Sequence, residues 1–361
     1  MSADRRDERQ EAVREVMARD GLDALLVTHL PNIRYLTGFT GSAGLLLILP
    51  ASAVLVTDFR YAAQAPMEVG NVAGVEIDPA NIWNRLGRSL AAAAPSALGV
   101  EAGYLTLRDA ERLRALGRFT LVPTSEVVER LRAVKSPQEV AAIHAAATLA
   151  QDALAEVLPG VRAGDSELLV AARLEGALRR RGSEWHPFQT IVASGPRSAL
   201  PHARTTTRSI GRGEWLLMDF GAQLDGYCAD LTRTVVVGAA DDRQREVYDV
   251  VRRAQARAIA HVAAGMSGRD ADALARDAIA AAGYGESFGH SLGHGLGLEV
   301  HEAPRLAPTA EAPLPLHAVV TIEPGIYLPG WGGVRLEDDV YLGADGPRCL
   351  SDNRTELIEL S

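Results

Sequence analysis

The alternation of apolar and polar positions lays out the chain before any single residue does. Residues 8–19 form a charged stretch whose apolar positions return at helical spacing. Apolar runs follow over 24–28, 45–49 and 53–57, with Pro50 and Ser52 punctuating the last two, and they read as buried strands. Strands and helices alternate to about Leu131. A boundary then appears at Ser136-Pro137-Gln138-Glu139: Ser136 can cap a helix, Pro137 suits its first position and Glu139 completes a capping box. Val140, Ile143, Ala147, Leu154 and Leu158 recur near helical spacing after it, and Pro159-Gly160 stops the run. The junction therefore falls at about Ala133, with domains over 1–133 and 134–361. In the second domain the pattern predicts helices over 165–181, 242–263 and 270–282, and strands over 190–193, 214–220, 226–237, 318–323 and 333–342. No repeat or low-complexity tract interrupts this α/β reading.

Composition narrows the function classes. A length of 361 residues suits two domains, and 47% hydrophobic residues allow a large core. The 37 basic and 46 acidic residues leave a net charge of −9, with no basic run that would mark a nucleic-acid binder. Cys228 and Cys349 are the only cysteines and stand far apart, which favours a reducing compartment over a disulfide framework. The first residues lack the apolar stretch of a secretory signal, and the most apolar segment, 44–56, is broken by Pro50 and too short to cross a bilayer. The expectation is a soluble cytoplasmic protein with no nucleic-acid or membrane partner.

Four segments place acids and histidines where a fold alone would not need them. In the first, Asp219 ends an apolar strand and Asp225-Gly226 signals a two-residue hairpin. That turn sets Asp219 opposite Thr232, with Asp230 on the same face as a diagonal neighbour, about 7–8 Å away between Cα atoms. The second carries His290, His294 and His301 among Gly289, Gly293, Gly295 and Gly297. Those glycines exclude a regular helix and permit a backbone that closes around an ion. The third and fourth place Glu323 and Glu337 inside strand-like apolar runs, with Arg335 on the same face as Glu337. Taken singly, two solvent-facing acids, a structural histidine or an Arg–Glu surface pair would explain much of this. Together, two aspartates, two glutamates and one imidazole form an oxygen-rich donor set that suits manganese first, with cobalt or zinc as alternatives.

The chain resembles the Xaa-Pro peptidases of the pita-bread metallopeptidase family, which includes aminopeptidase P and prolidase. The resemblance rests on D-F-G-A-x-x-D-G-Y-x-x-D-x-T-R-T from Asp219, G-H-G-L-G-L-E-V-H-E from Gly293, T-I-E-P-G-I-Y from Thr321 and V-R-L-E-D from Val334. In the first domain it rests less specifically on the segments from Asn32 to Gly41 and Thr57 to Tyr61, which are similar to a creatinase-like N-terminal domain. It implies a creatinase-like α/β domain followed by a pita-bread catalytic domain. It also implies two divalent ions: Asp219 serves one, His294 and Glu323 the other, and Asp230 and Glu337 bridge. His202, His290 and His301 match the family's substrate-side histidines, and Arg335 and Thr232 match positions that hold the bridging carboxylates.

The chemistry so implied is hydrolysis of the bond before proline, with water made acidic by the ions. By resemblance, His301 steadies the oxyanion, Glu323 moves a proton to the leaving nitrogen, and His202 and His290 orient a proline-containing peptide. The compact first domain, with its Gly38–Gly44 run, favours an aminopeptidase over a prolidase acting on dipeptides. A non-catalytic scaffold on this fold would have no reason to keep the whole ligand set. Association into a homodimer or tetramer is a further implication of the resemblance.

Overall fold

The computed structural model describes residues 5–351 and 355–361; residues 1–4, part of the stretch read above as lacking a secretory signal, lie outside them. The chain divides into two compact units, Met1–Arg132 and Ala133–Ser361.

The first unit is built on a six-stranded sheet. Its strands are β1 (Ala24–Val27), β2 (Leu45–Ile48), β3 (Ala53–Asp58), β4 (Gly74–Asp78), β5 (Ala97–Glu101) and β6 (Thr120–Thr124), in the order β4-β3-β2-β1-β5-β6. Pairing is antiparallel for β1/β2 and β2/β3 and parallel elsewhere. The runs of Leu, Ile and Val read as strands are buried along their whole length in β1 and β2, as strands covered on both faces require. Helices α1 (Arg6–Arg19), α2 (Leu30–Thr37), α3 (Gln64–Val69), α4 (Ile82–Ala93), α5 (Leu107–Leu116) and α6 (Val127–Arg132) complete the unit. The segment from Asn32 to Gly41 begins as helix α2, with Pro31 in its first turn and Gly38 at a φ of 80° ending it. The Glu101 carboxylate holds that helix in place: it accepts the amides of Thr28 at 2.6 Å and His29 at 2.8 Å and the Asn32 side chain at 2.7 Å.

The second unit opens with α7 (Pro137–Val157), whose capping box forms between Ser136 and Glu139. It continues with α8 (Glu167–Arg180), β7 (Ile191–Ser194), β8 (Glu214–Phe220), β9 (Gln223–Leu224), β10 (Tyr227–Cys228), β11 (Leu231–Val237), α9 (Asp242–His261) and α10 (Gly268–Ala281). After these come β12 (Gly293–Gly295), β13 (Glu302–Leu306), β14 (Val319–Ile322), β15 (Gly325–Leu328), β16 (Gly332–Arg335), β17 (Asp338–Gly343), β18 (Gly346–Cys349) and β19 (Glu359–Leu360). One sheet runs β19-β11-β8-β7 and another β13-β12-β14-β17-β18, with β15/β16 as a separate hairpin. Apolar faces of α7 and α8 pack on the first sheet, and those of α9 and α10 on the second.

Two departures from the sequence pattern matter for the site. The single strand read over 333–342 is two strands, β16 and β17, parted at Leu336-Glu337. There Glu337 leaves its own ladder and forms an isolated bridge to Thr232. The strand read over 226–237 is likewise interrupted before Leu231, so Asp230 is free of regular pairing. Among the described residues no helix is long and apolar enough to cross a membrane.

Candidate metal centre

The hairpin that begins the site has the register its turn dictates. Asp225 and Gly226 both take positive φ, 50° and 78°, and Asp219 lies opposite Thr232. Asp230, just ahead of β11, turns its carboxylate to the same cluster.

β12 brings in the histidine. It runs between β13 and β14, and its glycines make this possible. A Cβ at Gly293 would stand 1.9 Å from the Thr321 carbonyl oxygen, and one at Gly295 would stand 2.1 Å from that of Ala303. Only a strand without side chains at these positions fits so close to its neighbours, and His294 between them is delivered to the cluster. Its amide donates to the Thr321 hydroxyl at 3.1 Å.

Three ligand atoms, one each from Asp230, His294 and Glu337, lie within 4.8 Å of one another. Glu323 joins them, with Oε1 3.5 Å from His294 Nε2, and Asp230 Oδ2 is 3.7 Å from the same nitrogen. Asp219 is held differently. Its Oδ2 accepts from Arg335 Nη2 at 2.5 Å. Arg335 Nε donates to the Thr232 hydroxyl at 3.1 Å, and that hydroxyl donates to Glu337 Oε2 at 2.6 Å. The guanidinium expected to hold the bridging carboxylates thus touches Asp219 directly and Glu337 only through Thr232. The cause is the register: a group that reaches Thr232 also meets Asp219 across the ladder.

The histidines expected on the substrate side surround this cluster. His290 is 4.0 Å from Glu323 through Nδ1 and bonds the Tyr327 hydroxyl at 2.8 Å through Nε2. The His301 ring lies 4.2 Å from that of His294, centroid to centroid. His202 is exposed, and the adjacent Pro201 carbonyl accepts from Arg335 Nη1 at 3.2 Å. Both His202 and His301 are near enough to Asp219 to favour its charge.

The electrostatics call for cations. Burial, with Glu337 the leading neighbour, pushes Asp230 and Glu323 well above the usual carboxylate range. Burial and Asp219 push Glu337 up to about 8. Burial raises Asp219 as well, against the opposing pull of Arg335. Asp230 Oδ1 is buried with no hydrogen-bond partner among the described residues. Four carboxylates facing one guanidinium leave charge uncompensated, and a buried charge without a partner is costly. Burial also lowers His290 and His294 to about 4, so both rings are neutral near pH 7 and the His294 nitrogen has a lone pair to give. The donor set therefore fits divalent metal.

Sequence reasoning passed over three further residues. Tyr327 accepts from Arg335 Nη1 at 2.8 Å and so joins Arg335 to His290. Asp339, fully buried, accepts the Asp230 amide at 3.2 Å and orients the loop before β11. Lys135 is taken up below. Only the four-residue spacing from Glu323 to Tyr327 and the acidic pair Asp338-Asp339 hint at the first two.

Comparison with known proteins agrees with this geometry. Residues 141–344 match metallopeptidase family M24, and residues 9–134 match the creatinase/prolidase N-terminal domain. The chain belongs to metallopeptidase family M24, preceded by a creatinase/prolidase N-terminal domain. It is similar to a solved Xaa-Pro dipeptidase from Bacillus anthracis, with 40% identity, a TM-score of 0.95 and coverage of 98% of this chain and 99% of that one. It is also similar to the X-Pro aminopeptidase of Thermotoga maritima, with 36% identity, a TM-score of 0.90 and coverage of 97% and 99%. A curated Xaa-Pro dipeptidase of Pyrococcus horikoshii is 35% identical over 98% of this chain and 99% of its own length.

Proposed function

We propose that the protein is a metal-dependent Xaa-Pro dipeptidase that hydrolyses the bond between an N-terminal residue and proline. The observation that carries this is the convergence of Asp230, His294, Glu323 and Glu337 beside Asp219, in a chain that matches Xaa-Pro dipeptidases nearly end to end. The compact first domain favours an aminopeptidase acting on longer peptides. The relatives named dipeptidase support the alternative instead, while the Thermotoga maritima likeness keeps the aminopeptidase as a second reading.

In this reading Asp219, Asp230, His294, Glu323 and Glu337 hold two divalent ions, and the oxygen-rich set suits manganese ahead of cobalt or zinc. Ions bound there polarise a carbonyl and make water available as a nucleophile near neutral pH. The remaining work belongs to side chains. Arg335 fixes Asp219, and Thr232 fixes Glu337, so each carboxylate is held in one orientation, as ligands to bound ions would need to be. Glu323, between His294 and His290, moves a proton to the prolyl nitrogen as it leaves. His301 donates to the developing oxyanion, and His202 and His290 position the substrate around proline.

The two cysteines are unpaired, in keeping with a cytoplasmic enzyme. Self-association into a dimer or tetramer is part of the proposal, and light scattering that shows only monomer would remove it. The activity is tested with Ala-Pro and Ala-Pro-Ala, each with manganese and with a chelator. Manganese-dependent cleavage of the dipeptide alone, or much faster than the tripeptide, is expected. A preference for the tripeptide would restore the aminopeptidase reading, and cleavage of neither would overturn both.

A further inference from the structure

Every basic residue of this chain except one is arginine: of 37 lysines and arginines, 36 are arginine and Lys135 is the single lysine. It is also out of solvent. Its side chain is 1% exposed, and its Nζ meets Glu302 Oε1 at 2.7 Å, with the Glu302 side chain 5% exposed. Two charges so buried are expensive, and breaking such a pair commonly does more harm than replacing both by apolar groups. In a chain whose other fixed cationic side chains are all arginine, this one is a compact ammonium.

The surroundings show what the pair does. Lys135 stands just before α7, and its amide donates to the His317 carbonyl at 3.0 Å. The next residues are tied to the site hairpin, because Glu139 in the first turn of α7 accepts the Tyr227 hydroxyl at 2.9 Å. Glu302 is the first residue of β13 and lies opposite Gly295, so it is next to His294 across the ladder and next to His301 along the chain. The loop from β12 to β13 is also tied at its near end, where the Leu296 amide donates to Val319 at 3.2 Å and Gly297 accepts from Cys228 at 2.7 Å, and the Val300 backbone meets the His294 ring. Among the described residues no hydrogen bond holds the His301 ring, which lies against that of His294 and close to Asp219. Its place is therefore set by its backbone, between Val300, which meets the His294 ring, and Glu302 at the start of β13. The slot is narrow on the carboxylate side, since a Cβ at Gly297 would come within 2.4 Å of Glu302 Oε1.

We propose that Lys135 and Glu302 are a positioning pair that fixes His301 against His294 for the reaction. The proposal requires the slot to take an ammonium and refuse the broader planar guanidinium. This rests on the proposed peptidase activity, in which His301 acts on the substrate, and it gives the lone lysine a role no motif assigns.

The test uses the full chain with Lys135→Met, Lys135→Arg and the double variant Lys135→Met/Glu302→Met, which removes both charges and leaves none buried alone. Thermal unfolding, manganese content, kcat and KM on Ala-Pro, and the histidine side-chain NMR spectrum of the metal-free protein are read for each, with the His301 signals assigned through His301→Ala. The double variant is expected to melt cooperatively and keep its manganese, with kcat about ten- to hundred-fold lower, KM moved far less and the His301 resonances shifted. Lys135→Arg should fail to restore kcat. In a His301→Ala background the double replacement should cost little more, because it acts through that ring.

Effects that multiply with those of His301→Ala, unmoved His301 resonances, or wild-type kcat in the double variant or in Lys135→Arg would each overturn the proposal. So would failure of the double variant to fold, which would make the pair a requirement of the fold. If the wild-type protein cleaves no Xaa-Pro peptide, the functional reading fails, while the metal-free resonances still report on the pair.

Discussion

The Thr232 hydroxyl donates to Glu337 Oε2 at 2.6 Å, across the isolated bridge where the Glu337 amide also donates to the Thr232 carbonyl at 3.1 Å. One residue pair thus joins the two sheets and orients a carboxylate of the metal cluster. Thr232→Val keeps the shape and the backbone bridge and loses the hydroxyl. Activity should fall about ten- to hundred-fold, with a small change in melting temperature. Steady-state kinetics beside a thermal melt separates the two, and an unchanged kcat/KM would show that Glu337 needs no such support.

Arg335 touches Asp219, Thr232, Tyr327 and the Pro201 carbonyl at once. A lysine keeps the charge and cannot make that fork. Arg335→Lys is expected to bind manganese about ten- to hundred-fold more weakly. Titration of the metal-free protein with manganese measures this directly.

Asp230→Ala and Glu337→Ala should abolish turnover by more than the about hundred-fold loss expected of an outer partner. Each also removes a buried carboxyl group whose ionisation its burial and acidic neighbours oppose in the metal-free protein, so the metal-free variants should melt no lower than the metal-free parent. Bound manganese per chain and the melting curve of the stripped proteins check both points.

Metal should stabilise the fold as well as the reaction. At a free concentration a hundred-fold above its Kd, manganese is expected to add about 2.7 kcal/mol to the unfolding free energy. A chelator should reverse the gain. Identical melts with and without metal would argue that the cluster binds nothing.

Gly293→Ala places a Cβ against the Thr321 carbonyl in the middle of a five-stranded sheet. The expected cost is about 1–3 kcal/mol or more, together with loss of metal as His294 is displaced. Denaturant unfolding and metal analysis of the variant give the result. By contrast, Gly160→Ala, where no atom lies within 4 Å of the added carbon, should retain its metal.

Away from the site, Arg208 holds the Glu214 carboxylate below its usual range through bonds of 2.7 and 2.6 Å. A depressed carboxylate pKa contributes stability that is present above the unfolded value, 4.5, and is lost as pH falls through the lower folded value. Glu214→Gln should therefore lower stability near neutral pH and flatten the acid limb of the stability curve. Urea unfolding at a series of pH values tests the sign.

Much of this was legible in the sequence because the signals were local. The α7 capping box needs only Ser136 and Glu139 three residues apart, and the Asp225-Gly226 turn sets Asp219 against Thr232 by counting. The acids and histidines stood out because solvent-facing or core positions would not call for them together. What strand alternation could not show is that the ladder breaks at Leu336-Glu337, since a single strand and two strands parted by a bridge have the same local pattern. Nor could spacing show that Arg335 takes Asp219 as its partner, because residues 116 apart in sequence meet only through the packing of two sheets.

The same division applies to Lys135. Its type is plain in the sequence, as the single lysine of the chain, but its partner Glu302 is 167 residues away and both side chains are buried only once the second unit has folded. The sequence by itself determined the elements, the turn register and the chemical types that gather at the cluster, since propensity, capping and alternation act over a few residues. The tertiary structure alone decided which carboxylate each cation meets and which charges lose their water, because burial and long-range contact are properties of the packed chain.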